Sequence, residues 1–143
     1  MSKLSVLAVF VIVLASCNPS KKPGRSVKFQ QYFVEGDQLY TVHCSNCHQK
    51  SGKGLGLLYP PLDESDYMEG NLSEVICLIK NGKSGELMVN GQQYNQAMPG
   101  IPTLTDLEIA EIATFIYNSW SHDEGIIEVQ QVTKMLQKCK EGT

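Results

Sequence analysis

Residues 44–48 read Cys44-Ser45-Asn46-Cys47-His48, in which two thiols stand three positions apart and an imidazole directly follows the second. Two rival interpretations of such a run are a thioredoxin-like redox site and a zinc site. A zinc site would need a second Cys or His pair at metal-ligand spacing, and the sequence contains none. The run therefore indicates a chemistry in which all three side chains hold one cofactor.

The spacing of these residues matches the pattern of c-type haem attachment. Each Cys sulfur can add to one vinyl group of haem, and His48, held beneath the ring, can then bind the iron through Nε2. We therefore predict one haem c, attached covalently through Cys44 and Cys47, with His48 as the proximal axial ligand of the iron.

A second axial ligand has to come from elsewhere in the chain. Met98 lies in the loop 96–100, where Pro99 fixes its own φ and pushes the backbone of Met98 toward an extended conformation. This stiffened loop makes Met98 the favoured ligand, and Met88 and His122 are the alternatives. Less favoured candidates are Met68, Met135 and His43.

The N-terminal segment predicts export and lipidation. Residues 1–16 combine a positively charged start with a twelve-residue apolar run, Leu4 to Ala15, which is typical of a secretory signal and short for a membrane span. Leu14-Ala15-Ser16-Cys17 resembles a bacterial lipobox, in which cleavage precedes the Cys and that Cys is acylated. Cleavage elsewhere and an uncleaved anchor are the alternatives. Acylation of Cys17 would anchor the protein on the extracytoplasmic, periplasmic side of a bacterial membrane.

Residues 17–32 are expected to form a lipidated N-terminus and a flexible tether, because residues 18–28 contain two Pro, one Gly and four positive charges with almost nothing apolar. The remaining composition suits one globular domain, with 42% apolar and 19% charged residues in the whole chain. Without residues 1–16 the chain has 11 basic and 15 acidic residues, a net charge of −4. Such an acidic chain is not expected to bind nucleic acid.

Two cysteines, Cys77 and Cys139, have no role in lipidation or haem attachment. An even number of remaining thiols in an oxidising compartment suggests a disulfide between them. The alternative is two separate buried thiols, which pack as small apolar side chains. Sequence alone gives no geometry that decides between the two.

The periodicity of apolar residues predicts an all-α domain of about four short helices, separated by long Gly and Pro loops and without a persuasive alternating strand. Asn71 with Glu74, and Thr105 with Glu108, have the spacing of a capping box at a helix start. The helices are expected to run from about Val34 to His43, from Asn71 to Asn81, from Thr105 past Ile116, and from Ile127 to Lys140.

Residues 33–121 resemble a class I cytochrome c domain, which has an attachment motif, a Met-Pro some fifty residues later and a helix after it. The resemblance implies the cytochrome c fold around one haem, with residues 122–143 as a C-terminal helical extension packed on the domain. It also implies that the carbonyl of Pro61 accepts a hydrogen bond from His48, and that Leu62 packs on the haem. Gly36 and Tyr40 would let the first helix cross closely against the Thr105 helix near Phe115.

The resemblance further implies a function. We expect a membrane-tethered monohaem cytochrome c that passes single electrons between redox protein partners through a His/Met-ligated iron. No nucleophile and base pair suggests catalysis, so no catalytic residue and no small-molecule substrate are expected. Two alternatives remain: an electron-relay subunit of a larger dehydrogenase or oxidase complex, and a gas-binding or peroxidase-like haem protein with an open sixth position.

Overall fold

The computed structural model describes residues 25–139, so the signal segment 1–16, Cys17 and the tether up to residue 24 lie outside it. The described chain is mostly helical, which confirms the all-α prediction. None of these helices is long and apolar enough to cross a membrane. The helices are α1 (Val27–His43), α2 (Ser45–His48), α3 (Leu72–Asn81), α4 (Asp106–Ile116) and α5 (Val129–Cys139).

Four short strands, which the sequence did not predict, form two antiparallel pairs. Strand β1 (Gly82–Lys83) pairs with β4 (Met98–Pro99), and β2 (Leu87–Val89) pairs with β3 (Gln92–Tyr94). Strands of two or three residues are too short for an alternating pattern to stand out. The β2–β3 connection, Asn90-Gly91, has positive φ at both residues, which suits the right-handed twist of a tight hairpin.

Helix α1 begins at Val27, seven residues before the predicted start. The Ser26 side chain accepts a hydrogen bond from the Phe29 backbone N–H at 3.1 Å and caps the helix. Phe29 and Tyr32 are buried on its inner face. Residues 27–32, predicted as part of the flexible tether, therefore belong to the folded domain, because two aromatic side chains bury enough apolar surface to order them.

The crossing of α1 and α4 is very close. A Cβ atom added to Gly36 would lie 2.1 Å from the carbonyl oxygen of Glu111 and 2.8 Å from the Cβ of Phe115. One turn further along α1, the Tyr40 ring stacks at a tilt on Phe115, with ring centroids 5.2 Å apart. The predicted approach of Gly36 and Tyr40 to Phe115 is thus confirmed.

The two predicted capping boxes have different outcomes. At α4, Thr105 Oγ1 accepts from the Glu108 N–H at 3.3 Å, and Glu108 Oε2 accepts from the Thr105 N–H at 2.7 Å, as predicted. At α3 the prediction is wrong, because the Asn71 side chain donates to the carbonyl oxygen of Tyr67 instead. The Glu74 carboxylate accepts a hydrogen bond from the Tyr67 hydroxyl at 3.0 Å. Both side chains of the predicted capping box therefore bond to Tyr67 and not to the helix backbone.

Helix α5 packs against α3 and α4 through the buried side chains of Val132 and Leu136. It begins two residues later than predicted, at Val129, and Lys140 lies outside the described residues. Cys77 on α3 and Cys139 at the end of α5 form a disulfide, with their Cα atoms 5.8 Å apart. The bridge joins the C-terminal helix covalently to the rest of the domain.

We expect the substitution Gly36→Ala to lower the free energy of unfolding by about 2 kcal/mol. The new methyl group would push α1 away from α4, and the cost of this separation exceeds the gain in helix propensity of Ala over Gly. Chemical denaturation followed by circular dichroism measures the change. Gln38→Ala, at an exposed position of the same helix, should leave stability within about 0.5 kcal/mol of wild type. A Gly36→Ala variant as stable as the wild type would contradict the close crossing.

Removal of the disulfide should also destabilise the domain. The cysteines are separated by 62 residues. Closing a loop of this length lowers the entropy of the unfolded chain and so raises its free energy by about 4 kcal/mol. The double variant Cys77→Ala/Cys139→Ala should therefore unfold at a lower denaturant concentration. In the wild-type holoprotein, thiol titration after denaturation without reductant should detect no thiol at either position, and detection of both thiols would contradict the bridge.

Candidate functional site

The attachment run lies at the end of α1 and forms its own helical turn. The backbone N–H groups of Cys47 and His48 both donate to the carbonyl oxygen of Cys44, at 3.1 and 3.0 Å. Residues separated by three and four positions share one face of a helix. Cys44, Cys47 and His48 therefore present two sulfurs and an imidazole on the same side of one turn.

The imidazole of His48 is oriented by a backbone carbonyl. His48 is 8% exposed, and its Nδ1 lies 3.0 Å from the carbonyl oxygen of Pro60. A carbonyl can only accept, so Nδ1 carries the proton and donates it. Burial lowers the pKa of His48, and the hydrogen bond to Pro60 only partly opposes this effect. The neutral ring thus leaves an unprotonated lone pair on Nε2, the state that binds a metal ion.

The partner of His48 is Pro60, so the expectation that Pro61 accepts this hydrogen bond is wrong. Which of the two neighbouring carbonyls faces the ring depends on how the loop after the attachment turn packs. A Cβ on Gly54 would lie 2.2 Å from the carbonyl oxygen of Tyr59, so the loop packs too closely on itself for a side chain there.

Two adjoining cavities border the attachment turn, with volumes of about 600 and 520 Å³, part of which is open to solvent. Cys44 lines the first cavity and Cys47 the second. Leu62 and Pro61 line the first cavity, so both lie beside the site even though Pro61 does not orient His48. Five residues line both cavities: His48, Pro60, Leu78, Leu87 and Met98.

These residues fit a haem. The cleft is walled mostly by apolar side chains, as a macrocycle requires. Two thiols stand beside it, and an imidazole and a thioether line both of its halves. His48 and Met98 could supply nitrogen and sulfur ligands to iron, and Cys44 and Cys47 could supply the covalent links.

The other candidates for the second axial position are less well placed. Met88 is 55% exposed on β2 and lines neither cavity. The Nε2 atom of His122 lies 2.8 Å from the carbonyl oxygen of Leu62, which engages that ring outside both cavities. Met68 is buried and lines the first cavity but not the second. His43 and Met135 line neither.

The Cys44 thiol does not resemble the reactive thiol of a thioredoxin-like site. Burial, with a smaller contribution from Cys47, raises the pKa of the Cys44 thiol to about 12. A reactive redox cysteine needs a lowered pKa, because the thiolate is the nucleophile. Cys44 therefore remains protonated at neutral pH in the absence of haem.

The sequence did not predict the contribution of the β2–β3 hairpin to the site. Leu87 lines both cavities and Val89 lines the first. Asn90-Gly91 could have revealed the hairpin, because Asn-Gly is a strong turn sequence and here it lies between two short runs that contain apolar residues. Tyr67 also lines the first cavity, where burial and, secondarily, the Glu74 carboxylate raise its pKa to about 12.

Residues 33–120 match the family profile described as Cytochrome c. The chain is 32% identical over 91 residues to cytochrome c-552 of Thermus thermophilus, which covers 61% of this chain and 69% of that protein. It is 30% identical over 106 residues to the cytochrome c subunit of a quinone-type alcohol dehydrogenase of Gluconacetobacter polyoxogenes. That alignment covers 71% of this chain but only 22% of the subunit.

The family match includes the attachment run, the cleft and α4, and it spans more than half of the chain. The expected cytochrome c fold is thereby confirmed, and with it a haem c cofactor. Both named relatives are cytochromes, one of them a cytochrome subunit of a dehydrogenase, and the family match supports a haem electron carrier that is not an enzyme by itself. The chain belongs to the cytochrome c family.

Proposed function

We propose that this protein is an exported, lipid-tethered monohaem cytochrome c that passes single electrons between redox protein partners. One haem c is attached through Cys44 and Cys47, with His48 and Met98 as the axial ligands of its iron. The observation that carries the proposal is that His48 and Met98 line the same two adjoining apolar cavities, while the two thiols stand on the same helical turn as His48.

When bound, haem c supplies the one-electron couple of its iron, and the chain supplies its ligands and surroundings. His48 would hold the iron through Nε2, and the Pro60 carbonyl holds its ring in place and raises its basicity. Met98 would supply the second iron ligand, and its thioether would favour a high reduction potential. The backbones of both residues are hydrogen-bonded, which would keep both ligands in place in either oxidation state.

The edge of the cleft near Cys47 is suited to contact with redox partners. Tyr59 lines the second cavity there, and the loop before it carries three exposed leucines. Leu57 is the most exposed of them, at 75%, and Leu55 and Leu58 stand on either side of it. Exposed apolar side chains grouped on one loop are typical of a protein-interaction surface. This surface supports electron exchange with a protein partner over reaction with a small substrate.

A second candidate function is electron relay within a dehydrogenase complex. It is favoured by the likeness to the cytochrome c subunit of an alcohol dehydrogenase. Purification from native membranes distinguishes the two functions, since a relay subunit accompanies its dehydrogenase in near-stoichiometric amount and a free carrier does not.

The ligation proposal predicts a low-spin oxidised holoprotein whose visible spectrum contains a Met-to-iron charge-transfer band. Met98→Ala should abolish this band completely, lower the reduction potential and open the site to cyanide, because a methyl group cannot bind iron. Met88→Ala, which removes an exposed methionine outside the cleft, should retain the wild-type spectrum.

Survival of the band in Met98→Ala would show that another residue is the ligand. A high-spin wild type that binds CO rapidly would instead favour the gas-binding or peroxidase-like alternative.

The tether proposal concerns Cys17, which lies outside the described residues. In a bacterial host, the wild-type protein should fractionate with membranes, and mass spectrometry should find acyl chains on Cys17 as the first residue. Cys17→Ser should abolish the acylation and release most of the protein from the membrane fraction, because no other lipid site is expected. Ser20→Ala serves as the control and should remain anchored. An unmodified Cys17 in the wild-type protein would refute the lipid anchor.

A further inference from the structure

The segment that carries Met98, residues 98–104, is attached to the C-terminal end of α3. Strand β1 follows α3 directly and pairs with β4, so that Lys83 lies opposite Met98 and Gly82 opposite Pro99. The Ile101 N–H then donates to the carbonyl oxygen of Ile79 at 3.0 Å. The upstream half of the segment is thus held by backbone hydrogen bonds.

This attachment depends on a close approach of two backbones. A Cβ on Gly100 would lie 2.3 Å from the carbonyl carbon of Asn81 and 2.5 Å from the nitrogen of Gly82. No side chain fits between the segment and the end of α3. The position of Met98 therefore follows the position of α3, whose Leu78 and Ile79 line the haem cleft.

In the downstream half of the segment, the Leu104 N–H donates to the carbonyl oxygen of Ile101 at 3.2 Å and the Leu104 side chain is buried, and one further side chain bonds this half from α3. Lys80 Nζ donates to the carbonyl oxygen of Pro102 at 2.8 Å and to that of Leu104 at 2.6 Å. Hydrogen bonds from a charged donor are about twice as strong as those between neutral groups. An ammonium group can reach two carbonyls two residues apart because its three donors rotate freely on a flexible stem.

These hydrogen bonds are not needed to end helix α3. The backbone N–H of Gly82 already bonds the carbonyl oxygen of Leu78 and closes the last turn. The Lys80 side chain instead leaves its own helix and reaches a different part of the chain, 22 and 24 residues further on. Its geometry fits a role in holding the Met98 segment.

We propose that Lys80 is a positioning residue for the axial ligand Met98, because its ammonium fastens residues 102 and 104 to the helix that also walls the haem cleft. The inference rests on the proposed ligation by Met98. Without the two hydrogen bonds, the downstream half of the segment would be held less firmly, and Met98 would leave the iron more readily.

The test uses the oxidised holoprotein and cyanide, which competes with Met98 for the iron. Lys80→Met keeps the length of the stem but removes both hydrogen bonds, and it should tighten apparent cyanide binding by about tenfold, the effect of roughly one charge-assisted hydrogen bond. Lys80→Arg retains the donors and should restore most of the difference. Lys134→Met, at an exposed position of α5, is the charge-matched control and should bind cyanide as the wild type does.

Lys80→Gln keeps a neutral donor and should give an intermediate affinity, so it decides the question if Lys80→Met yields no folded holoprotein. A role in stability alone would lower the unfolding midpoint of Lys80→Met and leave cyanide affinity under native conditions unchanged, which would overturn the proposal. Equal cyanide affinities of the Lys80→Gln variant and the wild type would also overturn the proposal.

The two proposals fail in different ways. If the wild type shows the Met-to-iron band, Met98→Ala loses it and Lys80→Met binds cyanide no more tightly than wild type, the role of Lys80 alone is refuted. If the wild type lacks the band, or Met98→Ala keeps it, the ligation by Met98 is refuted and the role of Lys80 with it.

Discussion

The close crossing of α1 and α4 at Gly36 is the constraint on which the rest of the structure depends. Helix α1 leads directly into the turn that carries Cys44, Cys47 and His48, and α4 follows directly after the segment that carries Met98. Contact between the two helices leaves no space for a side chain at Gly36. It therefore fixes, relative to each other, the two helices that lead to the two sides of the cleft.

Helix α3 connects the remaining parts of the molecule. One face contributes Val75, Leu78 and Ile79 to the cleft, and its C-terminal end holds the Met98 segment. Cys77, off that face, joins it to α5 by the disulfide. The family match ends at residue 120, so α5 lies beyond the matched domain, although it shares the same core. This C-terminal helix and its bridge stabilise α3, and thereby a wall of the haem cleft.

Much of the site was predictable because its signals are local. The attachment turn follows from residues three and four positions apart, which meet on one face of any helix. The same reason explains the correct capping box of Thr105 and Glu108. It also explains why the capping box at Asn71 did not form. The spacing of Asn71 and Glu74 was right, but both side chains hydrogen-bond to Tyr67 instead.

The sequence by itself was enough to predict a haem-attachment turn at Cys44, Cys47 and His48, and it determined the helical class and the start of α4, because each depends on neighbours within a single turn. Only the tertiary structure decided that Pro60, and not Pro61, faces His48, because the direction of a carbonyl depends on how the whole loop packs. It also decided which methionine lines both cavities, and that Cys77 and Cys139 form a bridge and are not two separate thiols. Those outcomes depend on residues far apart in the chain, whose separation no local pattern specifies.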